Sequence, residues 1–305
     1  MRVGLIGAGR RGTAWARAVQ DAADGVPGLA LAGIADADPA AAASLARETG
    51  AHAFASTLDL LDAVDLALVA VPVRDRALVA SEALRRGAHA FVLWPPAASV
   101  PEMEALGKLA EEAGRELAVA HALPIAPLLG LSADRPLALA LLDVELPLAA
   151  SSAPPASGDP IPGDPAPSDL ASGDPAWTEA PWPRVLAAAC GLFGALARSP
   201  IRHVDAEAAR DGARRLHALA AGFRFRSGFY AHLALGRTET PRVRLRIAGP
   251  EGVQERGLLG LGPAARALEI RRVVEAVRAG RAAPHGPLEA ADTLRLTERV
   301  LRRIA

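Results

Sequence analysis

The chain has 305 residues, enough for two domains. Basic and acidic residues number 34 each, so no charge excess points to nucleic acid or to a cationic partner. The single cysteine, Cys190, excludes an intramolecular disulfide and a cysteine metal cluster, and no metal site is expected.

The first stretch, MRVGLIGAGRRG, enters a strand pattern at once, without the layout of a signal peptide. No apolar run is long enough to span a membrane, so a soluble, cytoplasmic protein is expected. Arg2–Gly7 reads as a strand and Arg11–Asp24 as a helix. Between them, Gly7-Ala8-Gly9-Arg10-Arg11-Gly12 fits the G-x-G-x-x-G pattern in the context that gives it meaning, after a strand and opening a helix. The first glycine permits a tight turn, the second lets a pyrophosphate approach the backbone, and the third lets helix and strand pack closely. The next strand, Leu29–Asp36, ends in an acid suited to a ribose hydroxyl. A carboxylate there repels a 2′-phosphate, so NAD is favoured; Arg10 or Arg11 keeps NADP open.

Asp38 and Pro39 begin a helix as cap and first-turn proline. Leu66–Val71 is an apolar strand closed by Pro72, and Arg76–Arg86 is a helix stopped by Gly87. Ala88–Leu93 is the next strand, followed by Trp94-Pro95-Pro96, a tight turn in which a cis Trp94–Pro95 bond is expected. Ser99 and Glu102 have capping-box spacing at the head of a helix to about Ala113, and Glu116–Ala120 is a further strand ending at His121. This alternation predicts an α/β fold: a doubly wound parallel Rossmann sheet over residues 1–122.

Residues 123–305 follow another pattern. Leu137–Leu148 is strand-like, and residues 149–183 form a loop rich in Pro, Gly, Ser and Asp. Gly158, Gly163 and Gly173 each begin a Gly-Asp-Pro turn there. Val185–Ala197 is an apolar helix. Strands are expected at Ile201–Ala206, Leu216–Phe225, Phe229–Leu235 and Val243–Ile247, and helices at Ala264–Gly280 and Leu288–Ile304. The turns at Arg226-Ser227-Gly228 and 249–252 predict hairpins, hence a C-terminal α+β domain with an open, mostly antiparallel sheet.

The chain resembles the Gfo/Idh/MocA family of glucose–fructose oxidoreductase and inositol dehydrogenase. The resemblance rests on GLIGAGRRG at Gly4–Gly12, ADADP at Ala35–Pro39, the block from Asp65 to Val92, FRFRSGFYAHLAL at Phe223–Leu235 and LRIAGPEG at Leu245–Gly252. It implies NAD(P)-dependent oxidation or reduction of a sugar, cyclitol or related carbonyl or alcohol. It also implies a homodimer or higher homo-oligomer through the C-terminal sheet. The expected cofactor contacts are Gly7, Ala8, Gly9, Arg10, Arg11, Gly12, Asp36, Pro72, Trp94 and Pro95.

The resemblance also exposes losses. The family's Glu-Lys-Pro at the end of the fifth strand is Leu93-Trp94-Pro95 here, and an indole is neither general acid nor general base. The only lysine, Lys108, lies well into the following helix. A histidine common after the fourth strand is replaced by Arg76, read as a surface arginine, with a bidentate hold on an anionic group as the alternative. Arg184–Leu196 lacks the family's aspartate and histidine, offering Ala187, Ala188, Cys190 and Gly191. His121, at the carboxyl edge of the sheet, and Tyr230 are the remaining candidates for proton transfer. His217 and His232 read as face residues of the second sheet. Two roles follow: an oxidoreductase with a changed proton relay, or an NAD(P)-binding pseudoenzyme that acts as sensor, scaffold or regulator. Either takes a small-molecule substrate or effector.

Overall fold

A computed structural model describes residues 1–123, 125–128, 137–147, 182–210, 216–238, 242–258 and 262–304. The expected loop at 149–183 lies almost wholly outside these residues.

The first sheet contains β1 (Arg2–Ile6), β2 (Ala30–Ala35), β3 (His52–Ala53), β4 (Leu66–Val69), β5 (His89–Val92) and β6 (Leu117–Val119). All pairs are parallel, in the order β3-β2-β1-β4-β5-β6. This is the doubly wound arrangement, with its switch point between β1 and β4. Helices α1 (Arg10–Ala23), α2 (Pro39–Thr49), α3 (Thr57–Asp62), α4 (Val73–Arg85) and α5 (Val100–Ala113) connect the strands. Their boundaries have local causes. Asp38 caps α2 by accepting from Ala40 N at 2.9 Å, and Gly50 closes it at φ 71°. Ser99 accepts from Glu102 N at 3.3 Å, while the Glu102 carboxylate turns back to Ala98 N rather than to Ser99 N. The motif therefore caps α5 as expected but closes one residue earlier than a standard capping box.

The second sheet comprises β7 (Leu139–Pro147), β8 (Ile201–Arg210), β9 (Leu216–Phe225), β10 (Tyr230–Thr238), β11 (Arg242–Gly249) and β12 (Gly252–Gly257). Its order is β12-β11-β7-β10-β9-β8, antiparallel except for the β7–β10 pair. On β11, Val243, Leu245 and Ile247 are buried while Arg244 and Arg246 lie on the other face, as the alternation requires. Arg246 pairs with Asp143 of β7 at 2.9 Å on that face.

Helix α6 (Trp182–Ala197) belongs to the same core as the buried face of this sheet, with the Phe193 and Phe223 rings 5.3 Å apart. The last two helices return to the first domain. Helix α7 (Gly262–Arg278) packs on α1, where Ile270 and Val274 share a core with Trp15 and Val19. Helix α8 (Pro287–Ile304) packs on α5 and α6. One apolar cluster runs from Val92 and Val119 of the first sheet through α6 to Phe223 and Leu245 of the second. No helix among the described residues is long and apolar enough to cross a membrane.

Candidate active site

The loop after β1 has the geometry that each glycine was expected to supply. Gly7 adopts φ 102°, and a Cβ there would meet the Ala70 backbone at 2.8 Å. A Cβ on Gly12 would lie 1.8 Å from Gly7 O, so only glycine permits α1 to approach β1 this closely. At Gly9 an added Cβ meets nothing within 4 Å. That open space lies at the N-terminus of α1, which carries no side-chain cap and no acid in its first turn. The first-turn amides and the positive end of the helix dipole there suit an anion. Arg10 is exposed and Arg11 half-buried beside the same amides.

Asp36 closes the other side. Its Oδ2 accepts from Ala8 N at 2.5 Å and its Oδ1 from Asp38 N at 2.8 Å. The carboxylate thus ties the glycine loop to the end of β2, and each oxygen keeps a lone pair for a ribose hydroxyl. These residues fit a dinucleotide: amides for the pyrophosphate, an open Gly9 surface, and an acid for the ribose.

The turn after β5 forms the next wall. The Trp94–Pro95 peptide is cis, as the Pro-Pro turn suggested. The indole is only 4% exposed, in the core that joins the two domains, and the Trp94 carbonyl accepts from Arg11 Nη2 at 2.8 Å. The main chain of Trp94, rather than its ring, therefore faces the glycine loop. Pro95 is half-buried and Pro72, after β4, is exposed.

Arg76 corrects an expectation. It is buried at 4% exposure, with Nε donating to Val71 O at 2.8 Å and Nη1 to Leu93 O at 3.2 Å and Pro95 O at 2.7 Å. Bonds from a charged donor contribute about 1.5–3 kcal/mol each. Arg76 therefore clamps the ends of β4 and β5 together instead of presenting a fork to a substrate anion. Its burial was hidden in the sequence because its acceptors are main-chain carbonyls, which carry no residue-type signal.

His121 stands at the carboxyl edge of β6, as expected, but inside the protein. Its Nδ1 lies 2.6 Å from Glu269 Oε1, which also accepts from His121 N at 2.8 Å. The two side chains are 5% and 6% exposed. The His121 ring stacks on His285, centroids 4.3 Å apart and 14° from parallel; His285 in turn lies 6.4 Å from the Trp94 ring. His285 Nδ1 donates to Val119 O at 2.8 Å, and its Nε2 is buried without a partner. Burial, and then the neighbouring His121, hold the His285 imidazole well below its ordinary range, so it is neutral. A cavity of about 10 Å³, with room for one water, is lined by His121, Glu269, Arg272 and His285. Glu269 and His285 escaped sequence reading: each lies more than a hundred residues from His121, and nothing local marks either.

The structure does not bring Tyr230 to this edge. It sits on the face of the second sheet opposite the shared core, and its hydroxyl would lie 2.9 Å from a Cβ on Gly222. His217 is exposed and His232 half-buried on the same sheet. Lys108 is exposed and pairs with Glu112 at 3.6 Å, away from the turn. Along α6, Ala187, Ala188 and Cys190 are buried, and burial pushes the Cys190 thiol up to about 12.

A glycine loop at the switch point, an acid after β2 and this strand order define a dinucleotide-binding Rossmann protein. Residues 1–121 match the model of the Gfo/Idh/MocA group, an oxidoreductase family with an NAD-binding Rossmann fold, so the N-terminal domain is of that family's type. None of the curated proteins matches the chain by sequence. Solved structures share the fold over nearly the whole chain. The UDP-N-acetylglucosamine 3-dehydrogenase of Acidithiobacillus ferrooxidans is 21% identical, with a TM-score of 0.73 over 100% of this chain and 97% of its own. GenD2 from gentamicin A biosynthesis, solved with NAD, is 19% identical, with a TM-score of 0.74 over 99% and 93%. The biliverdin reductase of Synechocystis sp. PCC 6803, solved with biliverdin and NADP+, is 17% identical, with a TM-score of 0.66 over 99% and 98%.

Proposed function

We propose that the chain binds NAD(H) in the glycine loop and acts as an oxidoreductase on a sugar, cyclitol or related carbonyl or alcohol. The observation that carries this reading is the loop itself: two glycines that only glycine can satisfy, and a third, Gly9, facing open space. The amides of the α1 N-terminus would hold the pyrophosphate, and Asp36 the adenosine ribose, which favours NAD over NADP. The dinucleotide, when bound, supplies or accepts hydride. The chain must supply position and a proton. Trp94 cannot carry that proton, which leaves His121 as the titratable group at the edge.

A second reading is favoured by one group of contacts. Trp94 is buried, Arg76 locks its turn, and α6 presents alanines and a buried thiol where the family's polar residues are expected. These features suit an NAD(P)-binding pseudoenzyme serving as sensor, scaffold or regulator. In either role the exposed face of the second sheet suits a homo-oligomer contact, and the cytoplasm is the expected location.

Thermal-shift titration with NADH and NADPH tests the shared claim. Gly9→Val has a backbone that any residue can adopt (φ −67°, ψ 179°) and should fold with nearly unchanged Tm. It should weaken NADH at least tenfold by filling the open surface. Equal NADH affinity in the two proteins refutes the site. Turnover of NAD+ with myo-inositol or D-glucose then separates oxidoreductase from pseudoenzyme.

A further inference from the structure

We propose that Glu269 is the positioning residue for His121, fixing its proton on Nδ1 and leaving Nε2 as the atom that exchanges a proton with substrate; this rests on the oxidoreductase reading above. The geometry is over-determined in the way a positioning contact requires. Glu269 Oε1 is held by the His121 backbone N–H at 2.8 Å, which fixes the carboxylate independently of the ring. The same oxygen then takes Nδ1–H at 2.6 Å. His285, stacked at 4.3 Å and itself anchored to Val119 O, holds the plane of the imidazole from one side. A carboxylate this deeply buried needs such donors, and both come from one residue. No described residue bonds His121 Nε2.

The arrangement moves the proton-carrying role from the β5 turn, where the indole stands, to the edge of β6. It also draws it from two halves of the chain, since Glu269 lies on α7. With a dinucleotide bound to take the carbinol hydride, the substrate hydroxyl proton would pass to Nε2 through the one water that the cavity beside His121 admits. The resulting imidazolium is paired with the Glu269 carboxylate. The reverse direction returns both.

Two-bond ¹H–¹⁵N spectra of ¹⁵N-histidine-labelled protein report the tautomer directly, with His121→Asn used to assign the signal. The wild type should show His121 protonated on Nδ1. Glu269→Ala should lose that pattern and lower kcat at least tenfold with the KM for NAD+ unchanged. Glu269→Gln, whose amide oxygen still accepts, should recover part of both. A wild-type His121 protonated on Nε2 alone, or an unchanged pattern in Glu269→Ala, overturns the positioning role. Retained turnover in a folded Glu269→Ala protein does so too. A wild type with the expected tautomer and bound NADH, but no turnover of myo-inositol or D-glucose, overturns the oxidoreductase reading and the proton exchange built on it.

Discussion

At the scale of single residues, one side chain decides what a position can do, and its partners decide what the side chain is. His285 illustrates this. Buried beside His121 with an unpartnered Nε2, it stays neutral in the folded protein, while in the unfolded chain it takes a proton near its ordinary 6.5. Its folded value is depressed. Its contribution to stability is therefore intact above pH 6.5 and is lost as pH falls below it, by up to about 1.4 kcal/mol per pH unit. Urea unfolding between pH 7.5 and 5 should show this slope. His285→Phe, which keeps a stacked ring but cannot titrate, should flatten it; an equal slope in both proteins assigns the loss to other groups. The glycines of the first loop were legible in the sequence because their spacing follows a known pattern, although the close approach at Gly7 is to Ala70 of another strand end. Arg76 and Glu269 were not, because Arg76 bonds main-chain carbonyls that carry no residue-type signal and Glu269 meets a partner far along the chain.

At the scale of elements, strong periodicity and capping chemistry carried over into structure, while short pieces did not. Asp38, Ser99 and Gly87 mark helix ends that the sequence announces. The two-residue β3 has no alternation to read, and α3 is a single short helix whose cap, Ser56, looks like any loop serine. Strand β12 is exposed along most of its length, so no buried face betrayed it. The turn after β5 bears on the lysine that the resemblance leads one to expect there. Trp94→Lys places that residue type at the turn. In this fold it removes a buried indole and sets an amine among apolar groups, costing about 3–5 kcal/mol or more. The variant should lose many degrees of Tm and gain no turnover; a stable, active Trp94→Lys protein would show that the turn can open.

At the scale of the whole molecule, the first six strands and the last six separate into two sheets. The packing does not. Helix α7 contributes Ile270, Val273 and Val274 to the core under α1, and a common core joins β5, β6, α6 and the second sheet. Periodicity describes what one element buries but not which distant element covers it, so the return of the last two helices was invisible in advance. A fragment of residues 1–122 should accordingly bind ANS and unfold without a sharp transition. The full chain should give one coincident transition by fluorescence and circular dichroism. A fragment that melts cooperatively and binds NADH would show that the first domain stands alone.

The placement of α7 has a consequence for biogenesis. On the ribosome, the flank of α1 that carries Trp15 and Val19 emerges long before its covering helix is made. During that interval an apolar stripe lies uncovered, where a holding chaperone would find it. Synthesis of α7 long after α1 thus makes completion of that core a late event of translation rather than an early one.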